Sequence, residues 1–388
     1  MSRILLVGKG PPARDGIASF LRTLMDGLGH DHDVRLVNLT RDGDRAGGRL
    51  TLSNLTRTLS DASDVWRGAR GADVVHVHSA LAPHVTMLRA GLLGLMGRLR
   101  GARVVVHAHG GLVQLWLTTP ARRVLARAAL APAHRVVAVS EGGRDALEAA
   151  LGSDRRVVLI DNTVDTSAFG PPGQPNDPPR ILFAGVLTPR KGVLDLIAAS
   201  ALLETRGVAH ELLLTGGSPP EGDQAEAEVR AGVRPGVRLL GPQPLAAMPD
   251  LYRSCDVFCL PSWWEAMPLS VLEAMASGLP VVATRVGDVP RAVEDETTGL
   301  LVTPRDPHAL ADALQRLLRD PALRRRMGDR GRRRVQERFD AARGRRDVDS
   351  LYRELIAGGS AGEPDAPMDS REPKKDPRPN PGRGPSSE

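Results

Sequence analysis

The sequence predicts an α/β protein made of two doubly wound domains that face each other across a cleft. Short runs of β-branched and other aliphatic residues alternate with segments of helical periodicity, the pattern of parallel sheets with crossover helices. A segment rich in proline and glycine, residues 170–179, interrupts this alternation, which then begins again. The 388 residues are sufficient for two domains that each bury a core.

The first domain is predicted over residues 1–168. Its strand candidates are Arg3–Val7, Val34–Leu39, Asp73–Val77, Arg103–His107, Arg135–Val139 and Val157–Ile160. The segments between them have helical spacing, and one helix is indicated by the series Val85, Leu88, Leu92, Leu95 and Leu99. Ligands of such sheets bind beyond the carboxyl ends of the strands, so we expect the functional residues in the loops that follow strands.

Residues 169–179 are predicted to link the domains, because proline lacks an amide hydrogen and fixes its backbone angle. The second domain is predicted over residues 180–340, with strand candidates Arg180–Ala184, Glu211–Leu214, Val237–Leu240, Val257–Leu260, Pro280–Ala283 and Leu300–Val302. From Pro307 to about Ile356 we expect helix. Residues 341–357 form its last part, and whether they return to the first domain is left open. Residues 358–388 have almost no large apolar side chain, so we expect disorder there.

Composition and charge indicate where the protein is expected to act and which class of partner it is expected to bind. Arg3–Val7 leads straight into a glycine loop rather than a cleavage site, and no apolar run reaches the roughly 18 residues that span a bilayer. We therefore expect a cytoplasmic protein, with a peripheral position at the inner membrane face left open. The net charge of +6 suits an anionic partner, and nucleic acid is disfavoured because no nucleic-acid-binding motif is visible. Cys255 and Cys259 are interpreted as core residues rather than metal ligands.

The most specific segment runs from Pro261 to Thr284 and reads as strand end, loop, helix, glycine stop and next strand. It places Glu265 in the loop and Glu273 on the helix, eight residues apart. The free amides at the start of a helix favour an anion, and a carboxylate further along can accept hydrogen bonds from vicinal hydroxyls such as those of ribose. Taken alone, the two glutamates would be a helix cap and a solvated residue. The whole string, however, closely resembles the Glu-x7-Glu signature of retaining, family-four glycosyltransferases, whose two Rossmann-like domains form the fold called GT-B.

The resemblance covers the chain up to about Ile356. It implies transfer of a sugar, with retention, from a UDP- or GDP-sugar donor to an unidentified acceptor such as a glycan or lipid-linked glycan. Phe183–Gly192 is similar to the opening of the family's second domain, and Arg190 and Lys191 match its basic pair, which implies contact with the donor diphosphate. Two cations on a loop before a helix would neutralise the leaving group. A surface basic pair is the alternative.

Further positions follow from the same resemblance. The segment Gly8–Ala18 is similar to the family's glycine loop, and Gly16 is carried over from it to the donor site. Its formal match to a dinucleotide fingerprint is weak, because Pro11 and Pro12 remove amides that a pyrophosphate would need. His109 matches the family's His-Gly after the fourth strand, which implies contact with the transferred sugar opposite Glu265.

Glu273 is expected to bind the ribose of the donor, and Met267 and Leu269, at the loop–helix junction, are assigned to donor binding. The family often has Gly-Phe-Gly where this chain has Ala266-Met267-Pro268. Asp288 and Arg291 also depart from the family pattern. These departures affect the fine contacts to the donor.

No metal or other cofactor is expected. The triplets Asp31/Asp33, Asp42/Asp44 and Asp347/Asp349 lack the strand–turn context of a metal-binding Asp-x-Asp motif. The pairs His76/His78 and His107/His109 could each hold a metal, because alternate residues of a strand share one face; buried polar strand ends are the commoner explanation. Two other functions stay open: a metal-dependent hydrolase that uses these pairs, and a nucleotide-sugar-binding subunit without activity.

Overall fold

The chain folds into two six-stranded sheets, and all of the strand pairs in both are parallel. The computed structural model describes residues 1–13, 16–40, 52–154, 156–217 and 224–360. The predicted tail from 361 onwards and the triplet Asp42/Asp44 lie outside these residues. The two sheets confirm the predicted fold class.

The first sheet has the strand order β2-β1-β3-β4-β5-β6. Its strands are β1 (Arg3–Gly8), β2 (Asp33–Asn38), β3 (Val74–Ser79), β4 (Arg103–Ala108), β5 (Arg135–Ala138) and β6 (Val157–Leu159). The helices that alternate with them are α1 (Gly16–Leu28), α2 (Leu52–Gly68), α3 (His84–Leu99), α4 (Val113–Trp116), α5 (Pro120–Ala129) and α6 (Glu141–Leu151). The strand order reverses between β1 and β3, so a crevice opens there at the carboxyl ends of the strands.

The second sheet has the order β12-β11-β10-β7-β8-β9, with its reversal between β7 and β10. Its strands are β7 (Arg180–Ala184), β8 (Glu211–Thr215), β9 (Val237–Gly241), β10 (Val257–Leu260), β11 (Val281–Thr284) and β12 (Gly299–Val302). The helices are α7 (Val193–Thr205), α8 (Gln224–Ala231), α9 (Met248–Arg253), α10 (Leu269–Ala276), α11 (Val289–Ala292), α12 (Pro307–Arg319), α13 (Pro321–Arg338) and α14 (Ala341–Ser360).

The helical stretch after Pro307 is three helices rather than one. Asp306 and Asp320 cap α12 and α13 by accepting hydrogen bonds from backbone amides, and a proline follows each of them at the first helical position. The last helix, α14, packs against the first domain: Val348, Leu351 and Tyr352 share a buried cluster with residues of β1 and α1. The sequence left this return open.

Helix α3 forms where it was predicted, but three leucines of the predicted series do not face the core, whereas Leu92 packs against it. Leu88, Leu95 and Leu99 are 46%, 37% and 61% exposed. The buried side consists of small residues and a few larger ones, because the helix lies very close to its neighbours: a Cβ on Gly91 would come within 2.1 Å of a carbonyl oxygen of α5. The spacing of the apolar residues therefore predicted that a helix forms here, but it did not predict which side of the helix is buried.

The two cysteines are buried and unpaired in the core of the second domain, as predicted. No helix in the described part of the chain combines the length and the hydropathy that crossing a bilayer requires.

Candidate active site

The basic pair lies at the reversal point of the second sheet. Arg190 and Lys191 occupy a single turn after β7, and Gly192, with a positive φ of 68°, precedes the first residue of α7. A side chain at Gly192 would collide with the carbonyl oxygen of Pro261, which follows β10. Glycine thus allows the loop after β7 to pack directly against the loop after β10, where Glu265 lies.

Glu265 and Lys191 form a close ion pair in that crevice. The Lys191 Nζ lies 2.6 Å from Oε1 of Glu265, and the two side chains are only 15% and 9% exposed. The hydroxyl of Ser262 donates a second hydrogen bond to the same oxygen, at 2.7 Å. Arg190 is more exposed and donates to the carbonyl of Trp264, with its Nη1 3.9 Å from Glu265. Two cations therefore surround one carboxylate, which leaves a net positive charge of one at this end of the cleft.

The opposite wall comes from the first domain. His109 follows β4, and its Nε2 lies 2.9 Å from Nδ1 of His78. Burial lowers the pKa of His109 to about 3, so its imidazole is neutral near pH 7. The next residues are glycines, and the indole of Trp264 donates a hydrogen bond of 2.5 Å to the carbonyl of Gly111. This bond joins the loop after β4 to the loop that carries Glu265.

A pocket of about 280 Å³ lies between these two walls. It is lined by His109, Gly110, Gly111, Leu112, Arg190, Trp264, Glu265, Ala266 and Met267. The structure thus brings four of the predicted site residues together: His109, Arg190, Glu265 and Met267. Lys191 reaches the same place through its ion pair with Glu265.

Gly16 and Leu269 meet beside this pocket. Gly16 is the first residue of α1, and Leu269 is the first residue of α10. A Cβ on Gly16 would lie 3.4 Å from the Leu269 side chain, so the starts of the two helices approach each other across the cleft. Pro268 precedes α10, and its side chain forms no cap, which leaves the first amides of that helix to other partners.

Glu273 does not line this pocket. It lies in α10, half-buried, and its Oε2 accepts a hydrogen bond of 2.8 Å from the hydroxyl of Tyr252. Burial raises the pKa of the Glu273 carboxyl, and the Tyr252 bond opposes that shift. The predicted solvated alternative is therefore wrong: this carboxylate is held in place by a fully buried tyrosine.

The residues that depart from the family pattern make contacts between the domains. Arg291 forms a two-pronged ion pair with Asp161 of the first domain, at 2.8 and 3.1 Å, and also contacts Asp288. Asp288 accepts a hydrogen bond from the amide of Glu141 at the start of α6. The amide side chain of Asn162 donates to the carbonyl of Met267, at 2.7 Å. These contacts join the two walls of the cleft.

Sequence reasoning missed several of these residues. Trp264, Ser262 and Tyr252 were not assigned a role, although the first two stand within the segment recognised as most specific. An aromatic residue next to Glu265 was the available signal for Trp264. Tyr252 carried no signal, because its contact with Glu273 depends on how α9 packs against α10.

Two models of known protein families match this chain, one in each domain. A model of the group 1 glycosyl transferases matches residues 178–320, and a model of glycosyltransferase family 4 matches residues 14–168. These two segments contain every strand of both sheets except β1. The chain belongs to this glycosyltransferase family, and its architecture is the GT-B fold.

Individual relatives and solved structures are similar to this chain in sequence or in fold. A D-inositol 3-phosphate glycosyltransferase of Corynebacterium glutamicum (strain R) is 38% identical over 185 residues, which are 46% of this chain and 44% of that protein. The match thus spans less than half of that relative's length. Sucrose-phosphate synthase from Thermosynechococcus elongatus superposes with a TM-score of 0.75 and 27% identity, over 92% of this chain and all of the other. HepE from Anabaena, in complex with UDP and glucose, superposes with a TM-score of 0.72 at 18% identity, over 90% of this chain and 99% of the other, a likeness of fold.

Proposed function

We propose that this protein transfers a sugar, with retention of anomeric configuration, from a nucleotide-diphosphate sugar to an acceptor hydroxyl. The observation that carries the proposal is the ion pair of Lys191 with Glu265, flanked by Arg190 and opposite the neutral His109. It lies at the reversal of the second sheet, where doubly wound domains bind their ligands. Membership of the glycosyltransferase family supports the reaction class.

The chemistry needs a stabilised leaving group. As the bond from the anomeric carbon to the diphosphate oxygen breaks, negative charge builds on the diphosphate and positive charge on the sugar. Lys191, Arg190 and the first amides of α10 are fixed donors for the diphosphate, and fixed donors act strongly where water is excluded. The acceptor hydroxyl attacks the face from which the diphosphate departs, and its proton passes to the departing diphosphate. This sequence retains the configuration and requires no metal.

The remaining residues position the donor. Glu265 and His109 flank the sugar, and the His109 nitrogen that faces a sugar hydroxyl is Nδ1, because Nε2 is paired with His78. Glu273, oriented by Tyr252, accepts hydrogen bonds from the ribose hydroxyls. Gly16, Met267 and Leu269 border the donor where α1 and α10 approach each other. The donor class is a UDP- or GDP-sugar, and the UDP and glucose bound by HepE favour UDP-glucose as the first donor to test.

The acceptor is proposed as a glycan or lipid-linked glycan, with a peripheral contact to an anionic membrane. The exposed leucines of α3 support that contact, since Leu88, Leu95 and Leu99 give a cytoplasmic enzyme an apolar surface to rest on a bilayer. The relative named as a D-inositol 3-phosphate glycosyltransferase makes the phosphorylated polyol of that name the first soluble acceptor to test.

The test is a thermal-shift panel of UDP- and GDP-sugars, followed by transfer from the radiolabelled donor that binds best. We expect one donor class to raise the melting temperature of the wild type, and the Lys191→Ala variant to bind the same donor more weakly. Labelled donor bound but not turned over with any glycan, lipid-linked or polyol acceptor would favour the inactive binding subunit instead. No stabilisation by any nucleotide-sugar would contradict the proposal.

A further inference from the structure

Four histidines form an array on one face of the first sheet, behind the pocket. His76 and His78 alternate on β3, and His107 and His109 do so at the end of β4, so each pair projects from the same face. The strand register sets His78 directly opposite His107. Neighbouring ring centroids in the array are 4.1 to 5.3 Å apart. His109 belongs to the site described above, whereas the other three lie deeper.

The three deeper imidazoles have unsatisfied nitrogens. His76, His78 and His107 are 0%, 4% and 0% exposed. In the described part of the chain, eight buried side-chain nitrogen and oxygen atoms have no hydrogen-bond partner, and four of them belong to these residues: Nε2 of His76, Nε2 of His78 and both ring nitrogens of His107. Native proteins leave few buried polar atoms unpaired, so such a concentration in one place calls for a partner such as an ion or an ordered water.

The hydrogen bonds of His76 and His78 use Nδ1 and leave Nε2 of each ring available as a ligand. Nδ1 of His76 lies 2.6 Å from the hydroxyl of Tyr352, and Nδ1 of His78 lies 2.9 Å from Nε2 of His109. With the proton of each imidazole on Nδ1, both Nε2 atoms carry lone pairs. Histidines that bind metals commonly donate their other ring N–H to a neighbouring group in this way.

We propose that His76, His78 and His107 bind one late first-row transition-metal ion, with Zn²⁺ as the representative. One nitrogen from each ring can be chosen so that all three lie within 4.8 Å of one another. Zn–N distances are about 2.0–2.1 Å, so the rings, which now lie nearly parallel, would rotate about their side-chain bonds to direct the three nitrogens at one ion. Imidazole suits zinc, copper and nickel, whereas magnesium and manganese prefer oxygen ligands, and no carboxylate belongs to this cluster.

The ion would serve the structure of the first domain and not the transfer reaction. The cluster lies in the core between the sheet and α14, where Tyr352 contacts His76, and His109 stands between it and the pocket. An ion there would join β3, β4 and the helix that returns from the second domain. It would also hold His109 through His78. The two open parallel sheets are not the single barrel that the hydrolase alternative requires.

The experiment measures metal in the untagged full-length protein, purified from cells grown with added zinc. Elemental analysis should find about one equivalent of zinc in the wild type and in the control His84→Ala, which removes an exposed histidine of α3. His76→Leu and His107→Leu should retain almost none. Zinc, but not magnesium, should raise the melting temperature of chelator-treated wild type.

X-ray absorption at the zinc edge of the wild type keeps the test decisive if a variant fails to fold. The expected first shell contains nitrogen with the outer scattering of several imidazoles. Wild-type protein without zinc after growth and after incubation with it would overturn the proposal, and so would equal zinc in the wild type and in folded His107→Leu. Because the readout is metal content and not turnover, the result is independent of whether the proposed transfer reaction is correct.

Discussion

Removing the ammonium of Lys191 is expected to abolish most of the turnover while leaving the chain folded. This group is held by Glu265 at 2.6 Å in a nearly buried position, so its place in the cleft is fixed by the protein itself. Loss of one such preorganised donor typically lowers kcat by about 10²–10³, or about 3–4 kcal/mol of transition-state stabilisation. Lys191→Ala should therefore show a fall in kcat of that size with the identified donor.

The same substitution also affects stability. Removing one partner of a buried ion pair destabilises a protein by about 3–5 kcal/mol. We expect the lower end of that range, because the hydroxyl of Ser262 still donates to Glu265. Urea unfolding separates the two effects, with the exposed Arg319→Ala as a control that removes one positive charge from the same domain. A folded Lys191→Ala protein with the turnover of Arg319→Ala would refute the role of Lys191.

Three further predictions follow from the same geometry. Glu273→Gln should weaken nucleotide affinity by about 1.5–3 kcal/mol, roughly 10- to 150-fold. Because the pKa of the Glu273 carboxyl is raised, wild-type affinity should fall as the pH is lowered through that pKa, and titration calorimetry that finds the wild type and the variant equally sensitive to pH would contradict this role. Wild-type protein should sediment with anionic vesicles in a salt-sensitive manner, and replacing Leu88, Leu95 and Leu99 by serine should reduce binding; no binding at low salt would favour a surface without a membrane role. Excess EDTA should leave turnover largely unchanged. Activity that is lost to EDTA but restored by Mn²⁺ or Mg²⁺ would overturn the metal-independent mechanism. Activity restored by Zn²⁺ alone would indicate loss of the structural ion proposed for the histidine array.

The neutral state of His109 adds a prediction about pH. Its pKa is lowered to about 3 by burial, so the protonated form becomes populated only in strong acid. In the unfolded chain the pKa of a histidine is near 6.5, so at neutral pH His109 is neutral in both states and does not change the free energy of unfolding. Below about pH 6.5 the unfolded chain binds the proton and the folded protein does not, so the free energy of unfolding falls. A profile of kcat/KM should thus show no inflection from His109 between about pH 6 and pH 8, and an inflection there that His109→Asn removes would contradict this assignment.

Local pattern was enough to predict the strands and the loops that carry Glu265 and Lys191. Their boundaries were correct to within one or two residues, because a buried strand and a glycine or proline stop are encoded in adjacent residues. The pairing of Lys191 with Glu265, separated by 74 residues, was not predicted. It depends on β7 and β10 being neighbours in the sheet, which sequence spacing alone does not determine.

Two other features show the limit of periodicity. Leu88, Leu95 and Leu99 of α3 have helical spacing and yet face outward, because glycines on the opposite side allow the closer packing. The histidine pairs were visible on each strand, but their union into one cluster depends on the register of β3 with β4 and on Tyr352 arriving from α14. The orientation of α3 and the assembly of the histidine cluster both depend on packing between distant segments, which the order of neighbouring residues does not encode.

The most direct test of sugar transfer with retention follows the donor itself. Wild-type protein is incubated with the UDP- or GDP-sugar that stabilises it, in the presence of water alone or of the best acceptor. Release of nucleoside diphosphate is measured, and proton NMR gives the anomeric configuration of the newly formed product before it equilibrates. We predict release that exceeds that of Lys191→Ala by at least about 100-fold, with a product of the donor's own configuration. A product of inverted configuration, or release no faster than in the variant, would contradict the account.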